Sequence, residues 1–209
     1  MHPIKKLTEV GMDSWIKLSC FVLLTGCSSI NYSFLKQTPS FVITDEIRIS
    51  PYAMQTIKFD NNEEGIFFLS KVLGPKQKWF KGIDLFITTH DGKITKTTGL
   101  DNDFEITSYK GFKNLINSKA LIIFNNPESN YMEIFFSYKI IKKGSMKKII
   151  DNSNFDYRLI EESFSVPLIK WSGKNYYWID EDDDIWLSKQ EIEPFGTKAR
   201  LQVLKKYSD

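Results

Sequence analysis

Short apolar segments separated by Gly, Pro, Asn and Asp follow one another along most of this chain. They are rich in Ile, Phe, Tyr and Thr, the residue types that pack best on a pleated, half-buried surface. The segments are 41–49, 52–59, 66–73, 76–80, 83–90, 93–97, 120–124, 131–141, 146–150, 157–164, 176–179, 185–187 and 200–205. Their lengths and spacing predict strands. We therefore expect an all-β fold, an antiparallel meander forming a sandwich or a partly open barrel.

The clearest hairpin lies between residues 83 and 97. Asp91-Gly92 joins its two segments, and this pair accepts the positive φ values that a tight two-residue turn needs. His90 directly precedes the turn, so we expect its side chain to be polar surface rather than a catalytic group.

One segment has a helical period. Phe112, Leu115 and Ile116 would lie on one face of a helix, which predicts a short helix between residues 110 and 119. At most one or two short helices are expected in the folded domain, besides a helix in the N-terminal leader.

The first 27 residues have the pattern of a bacterial lipoprotein signal peptide. A basic start is followed by an apolar run at 18–24, which is too short to span a bilayer, and then by small residues. Translation from Met1 or from Met12 leaves Cys27 as the first mature residue. The lesser alternative is a buried structural thiol. The predicted lipobox is Leu24, Thr25, Gly26 and Cys27, with lipidation at Cys27.

This pattern divides the chain into a signal peptide, 1–26, an acylated cysteine with a polar tether, 27–40, and a single β-rich domain, 41–209. Two or more acyl chains hold a protein stably on a membrane, so we expect a permanent anchor. Ser28 stands where an Asp usually retains a Gram-negative lipoprotein at the inner membrane. That sorting rule implies an outer-membrane location, facing the periplasm.

The composition excludes several kinds of site and function. The formal net charge of +2 indicates no electrostatic footprint for nucleic acid. Cys20 and Cys27 both precede the domain, which leaves it no internal disulfide. His90 is the only histidine after the leader, so zinc sites built on paired His or Cys are excluded, and we expect neither a cofactor nor a metal.

Clustered carboxylates are weaker candidates for a metal site or a catalytic site. The run 181–184 is typical of a solvated turn, and it lacks the ligand spacing and the Gly of a calcium loop, so calcium is the lesser alternative. Glu161 and Glu162 would point to opposite faces of a strand, and Glu191 and Glu193 lie in an apparent loop. We interpret all four glutamates as surface charges rather than as the acid–base pair of a glycan-cutting enzyme.

Four tryptophans remain as candidates for binding. Most large aromatic residues in a β protein without disulfides lie in its core, because each buries a large apolar area, and this is the favoured interpretation. The alternative is a face that binds a glycan or a partner. The tryptophans are Trp79, Trp171, Trp178 and Trp186.

Two stretches resemble the YjbF/GfcB family of outer-membrane lipoproteins, which is associated with exopolysaccharide and group 4 capsule operons. The first stretch runs from Pro51-Tyr52-Ala53 through Trp79 to residues 89–100, Thr-His-Asp-Gly-Lys-Ile-Thr-Lys-Thr-Thr-Gly-Leu, and is similar to the family segment T-x-x-G-x-(apolar)-x-x-T-x-G-L. Residues 177–190 and Pro194 are similar to Y-W-x-D … (apolar)-W-x-S-x-Q … P. One departure is Asp183-Asp184, where the family commonly has a Gly in the turn.

The resemblance implies a non-enzymatic, all-β accessory lipoprotein with no established catalytic residues. It also implies outer-membrane β-barrel partners of the YjbH/GfcD kind and a role in polysaccharide export or surface assembly. Two alternatives stay open. A periplasmic glycan-modifying enzyme would need a convergent carboxylate pair in a cleft, and a lipid or lipoprotein carrier would need an apolar cavity.

Overall fold

Twelve antiparallel strands make up the fold of the residues that the computed structural model describes, which are 43–60, 64–112, 115–125, 130–194 and 196–207. These residues belong to one compact unit, Ser40–Asp209. The strands are β1 Met54–Phe59, β2 Gly65–Leu73, β3 Lys76–Lys81, β4 Leu85–His90, β5 Lys93–Thr98, β6 Phe104–Thr107, β7 Ser118–Phe124, β8 Met132–Lys147, β9 Asn154–Val166, β10 Trp171–Ile179, β11 Ile185–Glu191 and β12 Lys198–Lys205.

The strands form a closed barrel in which each pairs with its neighbours in sequence. β1 closes the ring by pairing antiparallel to β12, with Ile57 opposite Leu201. Closure removes the unpaired sheet edges that would otherwise favour aggregation. The predicted all-β antiparallel meander is therefore confirmed.

The barrel is flattened. β5 and β11 stand six places apart in the ring of twelve, on opposite walls, yet the backbone N–H of Ile94 on β5 donates to the side-chain oxygen of Gln190 on β11 at 2.9 Å. Two walls this close resemble the packed layers of a sandwich. The fold thus combines the packed walls of a sandwich with a barrel, and the barrel is closed rather than partly open as the sequence pattern suggested.

A short helix replaces the first predicted strand. Residues Asp45–Ile49 form helix α1, with Asp45 and Glu46 in its first turn and Arg48 in its last. This charge order favours a helix through its dipole, so the strand prediction for 45–49 was wrong; Phe41 and Val42 lie outside the described residues. A 3-10 turn, Pro167–Ile169, joins β9 to β10.

The helix predicted between residues 110 and 119 is not formed by the described part of that segment. Leu115 has a φ of 50°, a left-handed conformation that a helix of L-residues does not accommodate. Ser118 already begins β7, while Lys113 and Asn114 lie outside the described residues. Within the described part of the chain, no helix is long and apolar enough to cross a membrane.

β8 joins two segments that the sequence pattern separates. Its pairing with β9 shifts register between Ile140 and Lys142, which marks a β-bulge. A bulge adds one residue to one strand and reverses the inward and outward alternation beyond it. The apolar period therefore changes in the middle of the strand, which is why 131–141 and 146–150 were predicted as two strands. The four-residue β6 was not predicted.

Apolar side chains from both walls fill the main core of the barrel. The fully or nearly fully buried members include Ile57, Phe67, Ile87, Ile94, Ile122, Ile134 and Val166. A smaller cluster of Phe112, Ile160, Tyr177 and Ile179 lies beside it. Between these two clusters the chain buries several polar side chains.

Candidate functional site

A buried carboxylate is the centre of the polar interior. Glu162 on β9 is 0 % exposed. Its Oε1 lies 2.6 Å from Nζ of Lys93 and accepts a hydrogen bond from Nδ2 of Asn175 at 2.7 Å. The hydroxyls of Tyr177 and Tyr109 donate to the same carboxylate, each at 3.3 Å. Four donors from two strands, β5 and β10, and one loop therefore neutralise and orient a single carboxylate.

The partners of Glu162 are also removed from solvent. Lys93 on β5 is buried, and its ammonium group lies 4.9 Å from the ring centroid of Phe136. Burial, and then the negative charge of Glu162, raises the pKa of Tyr109 and of Tyr177 well above the ordinary value. Both phenols therefore stay protonated and act as donors. The carboxylate of Glu162 is thus compensated within the protein, by Lys93 and by hydrogen bonds.

The surface interpretation of Glu161 and Glu162 was wrong, although their opposite orientations are as expected. Glu162 shares the inner face of β9 with Ile160 and Phe164, an apolar row that could have revealed its burial. Glu161 faces outward but is only 3 % exposed. Nζ of Lys139 and Nζ of Lys174 lie 3.0 and 3.1 Å from its Oε1. Those lysines, on the flanking strands, cover the carboxylate.

Of the other two glutamates, Glu191 is the last residue of β11. Glu193 lies in the turn after that strand and accepts a hydrogen bond from the hydroxyl of Thr197. The backbone N–H of Glu191 donates to Oδ1 of Asn175 at 2.8 Å, the residue whose Nδ2 binds Glu162.

The hairpin predicted around Asp91-Gly92 is confirmed, with φ values of 48° and 70° at these two residues. The expected exposure of His90 was wrong, since its side chain is buried. Its ring packs edge-on against Tyr109, with centroids 5.3 Å apart. Burial lowers the pKa of His90 below its ordinary value, an effect that outweighs the nearby Asp91.

The two family-like stretches meet at this hairpin. Nε2 of Gln190 donates to the carbonyl oxygen of Gly92 and to the hydroxyl of Ser188, both at 2.8 Å. Its Oε1 accepts from the backbone N–H of Ile94. β6 pairs with β5 only at Lys96. The backbone N–H of Ile94 on β5 therefore bonds to the side-chain amide of Gln190 instead of to a neighbouring strand. The apolar-Trp-x-Ser-x-Gln stretch therefore holds the turn of the Thr-x-x-Gly stretch.

The acidic run 181–184 forms the turn between β10 and β11 that the sequence predicted. Asp180 organises it. Its carboxylate accepts from the backbone N–H of Asp182 and of Asp184, from Nε1 of Trp186 at 2.7 Å and from Nζ of Lys206 at 2.9 Å. These donors explain a lowered pKa for Asp180, against the opposing effect of burial.

Asp183 is the residue of this turn whose backbone conformation favours glycine. Its φ is 64°, a left-handed value that Asp adopts more readily than most residues with a side chain. Its carboxylate pairs with Arg158. Across the described ranges of the chain, no group of three or more His, Cys, Asp and Glu side chains is arranged to hold a metal ion.

All four candidate tryptophans are buried, which is the core placement that the sequence analysis favoured. They do not share one exposed face. Trp171 packs against Phe164 at 4.7 Å between ring centroids, and Trp178 lies on the face of β10 opposite to Tyr177. Trp79 and Trp186, however, both line one cleft at an end of the barrel.

This cleft has a volume of about 270 Å³ and opens where the β2–β3, β4–β5 and β10–β11 turns come together. Its wall is formed mostly by inward-facing side chains near the ends of the strands. They include Gln55, Gln77, Trp79, Thr89, Trp186 and Ser188. We call this site the turn-end cleft.

Residues 27–204 match the model of a family described as group 4 capsule polysaccharide lipoprotein gfcB, YjbF. The chain belongs to this family. The match confirms the resemblance seen in the sequence and contains both stretches that carry it. Members of the family are lipoproteins linked to capsule polysaccharide, which indicates a membrane-anchored location in the cell envelope. No curated protein matches the chain.

The fold is shared with a solved lipoprotein. The crystal structure of the hypothetical lipoprotein YmcC from Escherichia coli K12 superposes with a TM-score of 0.69 at 16% sequence identity, covering 84% of this chain and 93% of that chain. A putative lipoprotein from Parabacteroides distasonis aligns with a TM-score of 0.34 at 11% identity, covering 74% and 93%. The first of these likenesses shows a shared fold.

Proposed function

We propose that this protein is a non-enzymatic lipoprotein of the outer membrane that supports the export or assembly of exopolysaccharide or capsule. The family match over residues 27–204 is the observation that carries the proposal. The buried polar groups agree with it, because the best-placed carboxylate, Glu162, is fully used in an internal ion pair and in hydrogen bonds.

A lipid anchor on Cys27 is part of this proposal. Residues 1–42 lie outside the described residues, so the support comes from the sequence and from the family match. The lipobox is Leu24-Thr25-Gly26-Cys27, and the match begins at residue 27, the residue that would become the mature N-terminus. Palmitate and other fatty acyl chains on Cys27 would hold the protein permanently on the membrane.

The enzyme alternative is disfavoured by where the carboxylates lie. A glycosidase needs two carboxyl groups facing the same bond, roughly 5–10 Å apart. Glu161 and Glu162 face opposite sides of the wall, and Glu162 is paired with Lys93. The carrier alternative is disfavoured by the interior, where packed apolar residues from both walls occupy the space that a lipid chain would need.

The partners that we propose rest on the family match and on the proposed outer-membrane location. An outer-membrane β-barrel of the YjbH/GfcD kind is the partner we propose, with the exported polysaccharide as the second. Mild solubilisation of host membranes, followed by affinity capture of the tagged protein, should recover such a barrel. Its absence from the captured material, under conditions that retain other outer-membrane complexes, would count against this partner.

Two assays test the non-enzymatic role. The purified protein should release no products from the host's own surface polysaccharide. In cells lacking the chromosomal copy, Glu161→Gln and Glu193→Gln should restore surface polysaccharide as well as the unmodified protein does. Product release that disappears with a single carboxylate substitution would instead establish the glycan-modifying alternative.

A further inference from the structure

The turn-end cleft contains a polar group that the fold itself does not satisfy. Gln55 on β1 is only 4 % exposed and lines the cleft. Its Nε2 is buried and has no hydrogen-bond partner in the protein. A buried donor without a partner destabilises a fold, whereas an apolar side chain of the same shape would not. Such a group is often explained by a ligand that it binds.

The aromatic walls of the cleft are held in fixed orientations. Nε1 of Trp79 donates to the hydroxyl of Thr89 at 3.1 Å, and Nε1 of Trp186 donates to Asp180 at 2.7 Å. The indole groups are thereby fixed before any ligand arrives. Rigid apolar walls with a few convergent polar groups are the usual features of a small-molecule site.

The charges at the mouth of the cleft are already engaged. Lys206 binds Asp180 and Asp184, and Lys205 donates to the backbone carbonyl of Ser50 at 2.5 Å. Asp183 pairs with Arg158. Since these charges are compensated within the protein, the cleft suits a neutral ligand rich in hydroxyl groups better than an anion.

We propose that the turn-end cleft is a saccharide-binding site that takes one or two neutral sugar units of a polysaccharide. A sugar offers hydroxyls to an amide and C–H groups to an indole, which matches Gln55 and Trp79. The Trp186 ring supports the wall but is itself covered by Nζ of Lys206 and of Lys148, 4.3 and 4.4 Å from its centroid. The volume of about 270 Å³ lies near the lower end of the roughly 300–1,000 Å³ usual for ligand sites. The proposal deepens the polysaccharide role proposed above and rests on it.

The test uses the full chain, purified in a zwitterionic detergent because sugar-headed detergents would compete for the cleft. The probes are oligosaccharides of two to six units, released by mild acid from the host's own surface polysaccharide. We expect them to change the tryptophan fluorescence and to receive saturation transfer from the protein in NMR. Gln55→Met should weaken their binding at least tenfold and leave Tm unchanged or higher, because the unpaired amide is removed.

Gln202→Met is the matched control, since Gln202 lies on the outward face of β12, where it accepts from Arg200 at 2.7 Å. It should leave sugar binding unchanged. If Gln55→Met does not fold, Gln77→Leu, two strands away on β3 and lining the same cleft, should produce the same loss.

Two results would overturn the inference: no binding of any probe by the unmodified protein, or equal binding by the folded cleft variants. Surface polysaccharide in cells separates this failure from that of the proposed function. If the deletion strain loses its polymer while the purified protein binds no sugar, the export role stands and only the saccharide site is refuted.

Discussion

Glu162 combines two properties that rarely occur together, full burial and a negative charge. An ion pair in the interior must recover the solvation that both partners lose, so its net contribution to stability is small or negative. Removing one partner alone is far more damaging, because it leaves a buried charge without compensation. The pair with Lys93 joins β5 to β9, two strands that do not neighbour each other in the ring.

The first prediction follows from this asymmetry. Lys93→Met and Glu162→Gln should each lower the free energy of unfolding by roughly 3–5 kcal/mol, measured by urea denaturation. The double variant should lose clearly less than the sum of the two. Lys119→Met is the control, because it breaks an exposed pair with Glu133 and should cost no more than about 1 kcal/mol. Additive effects in the double variant would show that the two charges do not interact.

At the scale of elements, the β4–β5 hairpin is where the two family-like stretches meet. Gly99, which closes the first of them, has a φ of 95°. A Cβ at this position would overlap the backbone carbonyl oxygen of Asp84, at the start of the same hairpin. The Thr-x-Gly-Leu pattern thus marks a close approach between two backbone segments rather than a binding loop.

Gly99→Ala should consequently be more damaging than an ordinary glycine substitution. The left-handed φ costs an added side chain roughly 1–2 kcal/mol, and the overlap adds roughly 1–3 kcal/mol. Gly74→Ala is a matched control, since Gly74 has a φ of 59° and open space around it. We expect Tm to fall by several degrees more for Gly99→Ala. Equal shifts in calorimetry would argue against the close approach.

The elements that sequence could predict are those with a local signal. Alternation and the Asp91-Gly92 turn located the hairpin, and β-branched and aromatic segments located most strands. The features that the sequence did not predict depend on tertiary context. The bulge in β8 changes the apolar period within one strand, and Glu162 is buried only because Lys93, 69 residues away in the chain, lies opposite. Nothing local distinguishes such a glutamate from a surface charge, except the apolar neighbours on its face.

At the scale of the molecule, the two family-like stretches and the buried ion pair stabilise the same structure, a flattened barrel whose walls are tied together. Gln190 links the two walls, and Asp180 secures the turn beside the cleft. The carboxylates of Glu162 and Asp180 are both used for structure, in the pair with Lys93 and in the turn after β10. We therefore propose that function lies in the lipid anchor, the surfaces and the turn-end cleft.

The most direct test of the central claim is surface polysaccharide in a deletion strain that carries Cys27→Ala. Cys20→Ala is the matched control, since Cys20 is the only other cysteine and lies in the leader. We predict that Cys20→Ala incorporates labelled palmitate and restores the polymer, whereas Cys27→Ala, at equal protein level, does neither. Normal surface polysaccharide with an unacylated Cys27→Ala protein would contradict the account.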